Sequence, residues 1–200
     1  MPLNDKEIRP NFINFLNTCS NKPNKVIEEL PVSYGSAIAD VVGIYNTLHC
    51  YEIKGETDTV QRIQKQGEFY NKSFPLITLV TTANHLEYAL KSAPYYWGII
   101  LAKSENGTTT FSIIRDASKN PDFSGEEALH TLWKNELLSI PQKNTLPIKD
   151  KMSKRMLSEI LSQNLSETYI AEYISSTVKN RSYSKNLYTY KKYEHWEILE

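Results

Sequence analysis

The sequence predicts an α/β protein: a mixed sheet flanked by helices, followed by a helical C-terminal part. Three observations carry this reading. Up to residue 115, short β-branched runs alternate with segments of helical period. An unbroken apolar run at 76–81 has the composition of a strand buried on both faces. After Pro121, helical segments take over.

In order, residues 5–19 form a helix by period, with Ile8, Phe12, Phe15 and Leu16 on one side. A polar loop leads to a short helix at 25–30, which Pro31 ends. Strands follow at 37–45 and 48–54, separated by a polar turn near Asn46. Residues 58–72 are helical, with Val60, Ile63, Gly67 and Tyr70 aligned. The buried strand 76–81, a helix at 84–92 and strands at 97–102 and 109–115 complete this part, the last pair joined through Glu105 to Gly107. Helices at 126–138, 151–161 and 167–180 come next, with Met156, Ile160, Ile170, Tyr173 and Ile174 facing inward. A boundary near residue 120 therefore separates an α/β core, 1–120, from a helical extension, 121–200, that ends in a Tyr- and Lys-rich tail.

Composition narrows the function classes. The chain has 200 residues, of which 40% are hydrophobic and 23% charged, too apolar for a disordered protein. No apolar run is long enough to span a membrane, and the start does not read as a secretory signal. Two cysteines, Cys19 and Cys50, cannot build a disulfide framework or a cysteine zinc site, so a cytoplasmic protein is expected. Basic and acidic residues balance at 23 each, which argues against a strongly electrostatic nucleic-acid binder but not against an enzyme acting on nucleic acid.

The stretch 28–70 carries the chemistry. Asp40 interrupts an apolar strand, and Glu52 and Lys54 interrupt its partner, both on one face with Ile53 on the other. With an odd-length turn centred on Asn46, Asp40 lies opposite Glu52; a two-residue turn would turn Glu52 to the other face. Two adjacent carboxylates raise each other's proton affinity unless a cation joins them, and a hard divalent ion such as Mg²⁺ resolves the conflict. A lysine beside that ion can position or deprotonate a water, which is what phosphodiester hydrolysis needs.

Asp40, then Glu52-Ile53-Lys54, then Gln66 on the next helix resembles the core signature of the PD-(D/E)XK nuclease superfamily. The likeness covers about the first 115 residues and is closest, over 26–102, to small uncharacterised bacterial and phage members, with Tyr51, Asp58, Thr59 and Tyr70 at matching places. It implies a restriction-endonuclease-like fold and a Mg²⁺- or Mn²⁺-dependent deoxyribonuclease acting in DNA repair, phage replication or defence. Asp40, Glu52 and the Ile53 carbonyl would bind the metal, Glu29 or Glu28 would complete a second shell from the helix at 25–30, Lys54 would handle the water, and Gln66 would steady the site. Two departures stand out: Ala39 replaces the usual proline before Asp40, and the arginine that close members carry just before the Asp is absent from Ala37, Ile38 and Ala39. The partner expected is DNA, single- or double-stranded, with RNA second and a homodimer possible. Arg62 and Tyr70, one helical turn before and one after Gln66, and Lys185, Lys191 and Lys192 in the aromatic tail are candidate nucleic-acid contacts.

Plainer readings weigh against each. Glu52 and Lys54 could form a structural ion pair, Gln66 could be a solvated helical residue, and Tyr70 a packing residue. The four histidines show no metal spacing and no acidic partner, and Trp97 and Trp133 fit as core anchors. The rival function is a catalytically inactive nuclease-fold protein that binds DNA or a protein partner.

Overall fold

The computed structural model describes residues 3–59, 62–105 and 107–181, the side chains of Arg62 and Gln142 excepted. Six strands form one mixed sheet in sequence order: β1 (Lys25–Val32), β2 (Ala37–Ile44), β3 (Leu48–Lys54), β4 (Leu76–Thr81), β5 (Gly98–Glu105) and β6 (Thr108–Arg115). The first three pair antiparallel, β3, β4 and β5 run parallel, and β6 returns antiparallel on β5. Gly107, at φ 80°, supplies the positive dihedral that this last tight turn needs.

The two faces are covered unequally. Helix α1 (Asp5–Thr18), capped by Asn4 and Glu7, lays Ile8, Phe12 and Leu16 against Val41, Tyr51, Ile53, Val80 and Ile100. The other face is broader. It is packed by α2 (Arg62–Ser73), α3 (Ala83–Ser92), α4 (Gly125–Leu129), α5 (Lys134–Leu138), α6 (Lys154–Asn164) and α7 (Glu167–Lys179). The C-terminal helices bury Leu129, Leu157, Leu161, Ile170 and Val178 in the same hydrophobic cluster as Leu30, Val42, Cys50 and Leu79 of the sheet.

Several elements depart from the sequence reading. Residues 25–30 are strand β1, not a helix, and pair with β2 from Lys25↔Ile44 to Val32↔Ala37. The cause lies at Glu29, whose φ of 55° is left-handed. Ile27 and Leu30 sit three apart yet face the same core, a spacing that mimics a helix but here marks a kinked strand. β2 makes the matching change between Ala39 and Val42, so the register is the same on both sides of the kink. The helix expected at 126–138 is two short helices, because Arg181 Nη2 donates to the Thr131 carbonyl (2.9 Å) and Glu136 takes the Trp133 N–H (2.6 Å), starting a new helix there. Trp133 is exposed, not a core anchor, with the Arg181 guanidinium 4.5 Å from its ring. In α6, Leu157 and Leu161 point inward and Met156 outward.

Candidate active site

The site forms where β2 parts from β3. The turn at 45–47 is three residues long, and the ladder runs from Ile44↔Leu48 to Val41↔Tyr51. One step further, next to Glu52, stands Asp40. There β2 stays with β1 but leaves β3, and Asp40 Oδ2 accepts the Ile53 N–H (2.8 Å) that the ladder no longer serves. Ile53 thus contacts Asp40 through its amide.

Glu52 and Lys54 project from the same face of β3 toward α2, where both are buried. Lys54 Nζ donates to Glu52 Oε1 (2.6 Å) and to Gln66 Oε1 (3.3 Å). The Tyr70 hydroxyl lies 2.8 Å from Glu52 Oε2 and 2.7 Å from the Ile38 carbonyl, so its single proton serves both acceptors. Gln66 Nε2 reaches that hydroxyl at 3.5 Å. Gln66 and Tyr70 meet Glu52 and Lys54 because they lie one turn apart on a helix whose Ile63, Gly67 and Tyr70 stripe is buried against the sheet. Glu52 is only 1% exposed, so these partners stand in for water around its carboxyl.

Electrostatics single out Asp40. Burial, and next the charge of Glu52, push the Asp40 carboxyl up to about 7, against the opposing pull of the Ile53 N–H, Arg9 and Lys54. Burial and the Glu52 charge likewise hold the Tyr70 phenol far above its ordinary value, so it remains a proton donor. The counter-cation of Asp40 is Arg9 of α1, whose Nη2 lies 3.0 Å from Oδ1. Burial works against the Arg9 charge, but Asp5, Asp40 and Glu29 outweigh it and raise its pKa.

Among the described residues, the non-glycine positive φ angles fall at Glu29 (55°), Ser33 (49°) and Tyr34 (58°), all on the β1–β2 hairpin that carries Asp40. Each such residue costs roughly 1–3 kcal/mol, and strain of this kind gathers at functional sites.

The structure therefore brings Asp40, Glu52, Lys54, Gln66 and Tyr70 together. It does not bring Glu28 or Glu29 to Glu52: both are exposed on β1, and Glu29 instead meets Arg9 Nη1 at 3.3 Å. Among the described residues, no three His, Cys, Asp or Glu side chains stand as a ready metal cluster. Lys185, Lys191 and Lys192 and the side chain of Arg62 lie outside the described residues, as do Val60 and His195. Asp58 accepts the Gly55 N–H (2.8 Å), closing the turn after β3. His130, expected to lack an acidic partner, has Glu127 Oε2 3.2 Å from its Nδ1.

The family model of bacteriophage P4 protein cII matches residues 2–198 of this chain. The chain belongs to the phage P4 cII family. A member, protein cII of Enterobacteria phage P4, is 25% identical over 156 residues, 78% of this chain. The chain spans 59% of that relative's length. A solved protein of unknown function from Silicibacter pomeroyi is 19% identical, covers 47% of this chain and 60% of its own, and superposes with a TM-score of 0.37, too low to carry an argument. The residue that sequence reading missed in this cII-family chain is Arg9. Its only local signal is the i,i+4 spacing from Asp5, and its other partners lie 20 and 31 positions away.

Proposed function

We propose that this protein is a metal-dependent nuclease with a restriction-endonuclease-like core, acting on DNA. One observation carries the reading. Asp40 lies within reach of the Glu52 and Lys54 charges at the edge where β2 leaves β3, and Lys54 and Gln66 are hydrogen-bonded in the Glu52 group. The donor chemistry fits a hard divalent cation: two neighbouring carboxylates, one with its proton affinity raised by burial and by the other's charge. Asp40 and Glu52 would hold Mg²⁺ or Mn²⁺, which supplies Lewis acidity and an acidified water at the scissile phosphate. Lys54 brings a cation and a proton donor to that water, kept in place by Gln66. Tyr70 fixes the Glu52 rotamer through Oε2 and ties it to the β2 backbone. Phage replication, defence and DNA repair all suit a nuclease in a phage protein family.

A second reading, a nuclease-fold protein that binds DNA or protein without cutting, draws on the near-complete burial of Glu52. The test is cleavage of single- and double-stranded DNA, with RNA in parallel, in Mg²⁺ and in chelator. The control is the double variant Glu52→Gln/Lys54→Met, which removes both charges together and leaves no unpaired buried ion. Mg²⁺-dependent cleavage that the double variant loses supports the nuclease. DNA binding without cleavage by the wild type supports the second reading.

A further inference from the structure

Each of the four carboxylate oxygens of Asp40 and Glu52 already has a donor. Asp40 Oδ2 holds a backbone N–H and Glu52 Oε2 a core hydroxyl. The remaining two face cations: Lys54 on Glu52 Oε1, and Arg9 on Asp40 Oδ1. Lys54 shares a strand with Glu52, but Arg9 comes from α1, on the opposite face of the sheet.

Arg9 is held by more than Asp40. Its Nε donates to Asp5 Oδ1 (3.0 Å), its Nη2 lies 2.9 Å from Asp5 Oδ2, and its Nη1 lies 3.3 Å from Glu29. A guanidinium carries five N–H donors in a rigid fork, so three carboxylates can share it. Two of them, Asp5 and Glu29, retain the guanidinium if Asp40 lets go. Burial of Ile8, Phe12 and Leu16 keeps α1, and so Arg9, seated beside the sheet.

Resting on the reading of Asp40 and Glu52 as cation ligands, we infer that Arg9 is a positioning residue that controls cation entry. It occupies Asp40 Oδ1 until a divalent ion arrives, and then withdraws onto Asp5 and Glu29. Arg9 and the ion compete for one oxygen, so weakening Arg9 strengthens ion binding. Removing Asp5, its other strong holder, drives Arg9 harder onto Asp40 and weakens ion binding.

The experiment is a Mn²⁺ titration of the full-length chain by electron paramagnetic resonance at pH 8.5, for wild type, Arg9→Gln, Asp5→Asn and Asp40→Asn, with circular dichroism to verify folding. A charge-assisted hydrogen bond lost by a competitor corresponds to about tenfold tighter Mn²⁺ binding in Arg9→Gln. Asp5→Asn binds more weakly than wild type, and Asp40→Asn loses the bound ion. Should Arg9→Gln fail to fold, the weaker binding of Asp5→Asn carries the test alone. Equal or weaker Mn²⁺ binding by folded Arg9→Gln, or unchanged binding by Asp5→Asn, overturns the role of Arg9 and leaves the cation site standing. No stoichiometric Mn²⁺ in any variant overturns both.

Discussion

Strand β3 carries polar side chains at both ends, and the two ends are held by opposite means. At its start, His49 and Tyr51 join a neutral chain: Tyr45 hydroxyl to Tyr51 hydroxyl (3.1 Å), Tyr51 hydroxyl to His49 Nδ1 (3.2 Å), and His49 Nε2 to Thr78 Oγ1 (2.8 Å). Burial drives the His49 imidazole down to about 3, so it stays uncharged through the neutral range. At its finish, Glu52 and Lys54 join Asp40, Arg9, Gln66 and Tyr70 in a charged cluster, beside a strained hairpin. A neutral hydrogen-bond chain completes the polar groups of the fold. A buried charged cluster with a carboxyl raised to about 7 costs stability, and such a cost is expected where a site serves chemistry. The contrast supports the proposal that the Lys54 end of β3 is the working end.

The strongest way to break this comparison is Lys54→Ala, which leaves the buried Glu52 carboxylate without its cation. A loss of about 3–5 kcal/mol in unfolding free energy by denaturant titration is expected. A loss under about 1 kcal/mol would mean that Glu52 is solvated and the cluster open.

Asp40→Asn sharpens the contrast through pH. The folded carboxyl binds its proton more tightly than the unfolded one, so its contribution to stability is greatest below about 4 and is lost as pH rises toward 7. Asp40→Asn removes that loss, so relative to wild type it gains about 1–2 kcal/mol between pH 4.5 and pH 8 after allowance for solvent screening. A variant whose stability difference is flat with pH contradicts the raised carboxyl.

At the other end the slope reverses. His49 resists protonation in the folded state, so stability is full above about 6.5 and falls as pH drops toward 3. His49→Gln is expected to gain about 1 kcal/mol relative to wild type between pH 7 and pH 4.5. Denaturation curves of both variants across one pH series would display the two opposite slopes together.

What the sequence revealed follows local periodicity. The run at 76–81 and the two strands around Asn46 were legible because β-branched residues and alternation specify them without help from distant contacts. The sequence left the turn length, and so the register, open between an odd-length and a two-residue turn; the three-residue turn put Asp40 one step beyond the ladder, beside Glu52. β1 was misread because the kink at Glu29 gives Ile27 and Leu30 a helical spacing. The break after Leu129 was hidden because the group that takes the Thr131 carbonyl is Arg181, 50 positions on. Arg9 escaped for the same reason: three carboxylates define its role, and two of them are distant in sequence. The gathering of Gln66 and Tyr70 was legible as spacing on one helix face, but the shared Tyr70 proton and the burial of Glu52 belong to tertiary packing.

The central claim is that Asp40 and Glu52 together hold a divalent cation, and a crystal of the wild-type protein soaked in Mn²⁺ tests it most directly by anomalous diffraction. A peak beside both carboxylates is expected, with Arg9 turned away onto Asp5 and Glu29. A map with Lys54 still on Glu52, Arg9 still on Asp40 and no peak between them would contradict it.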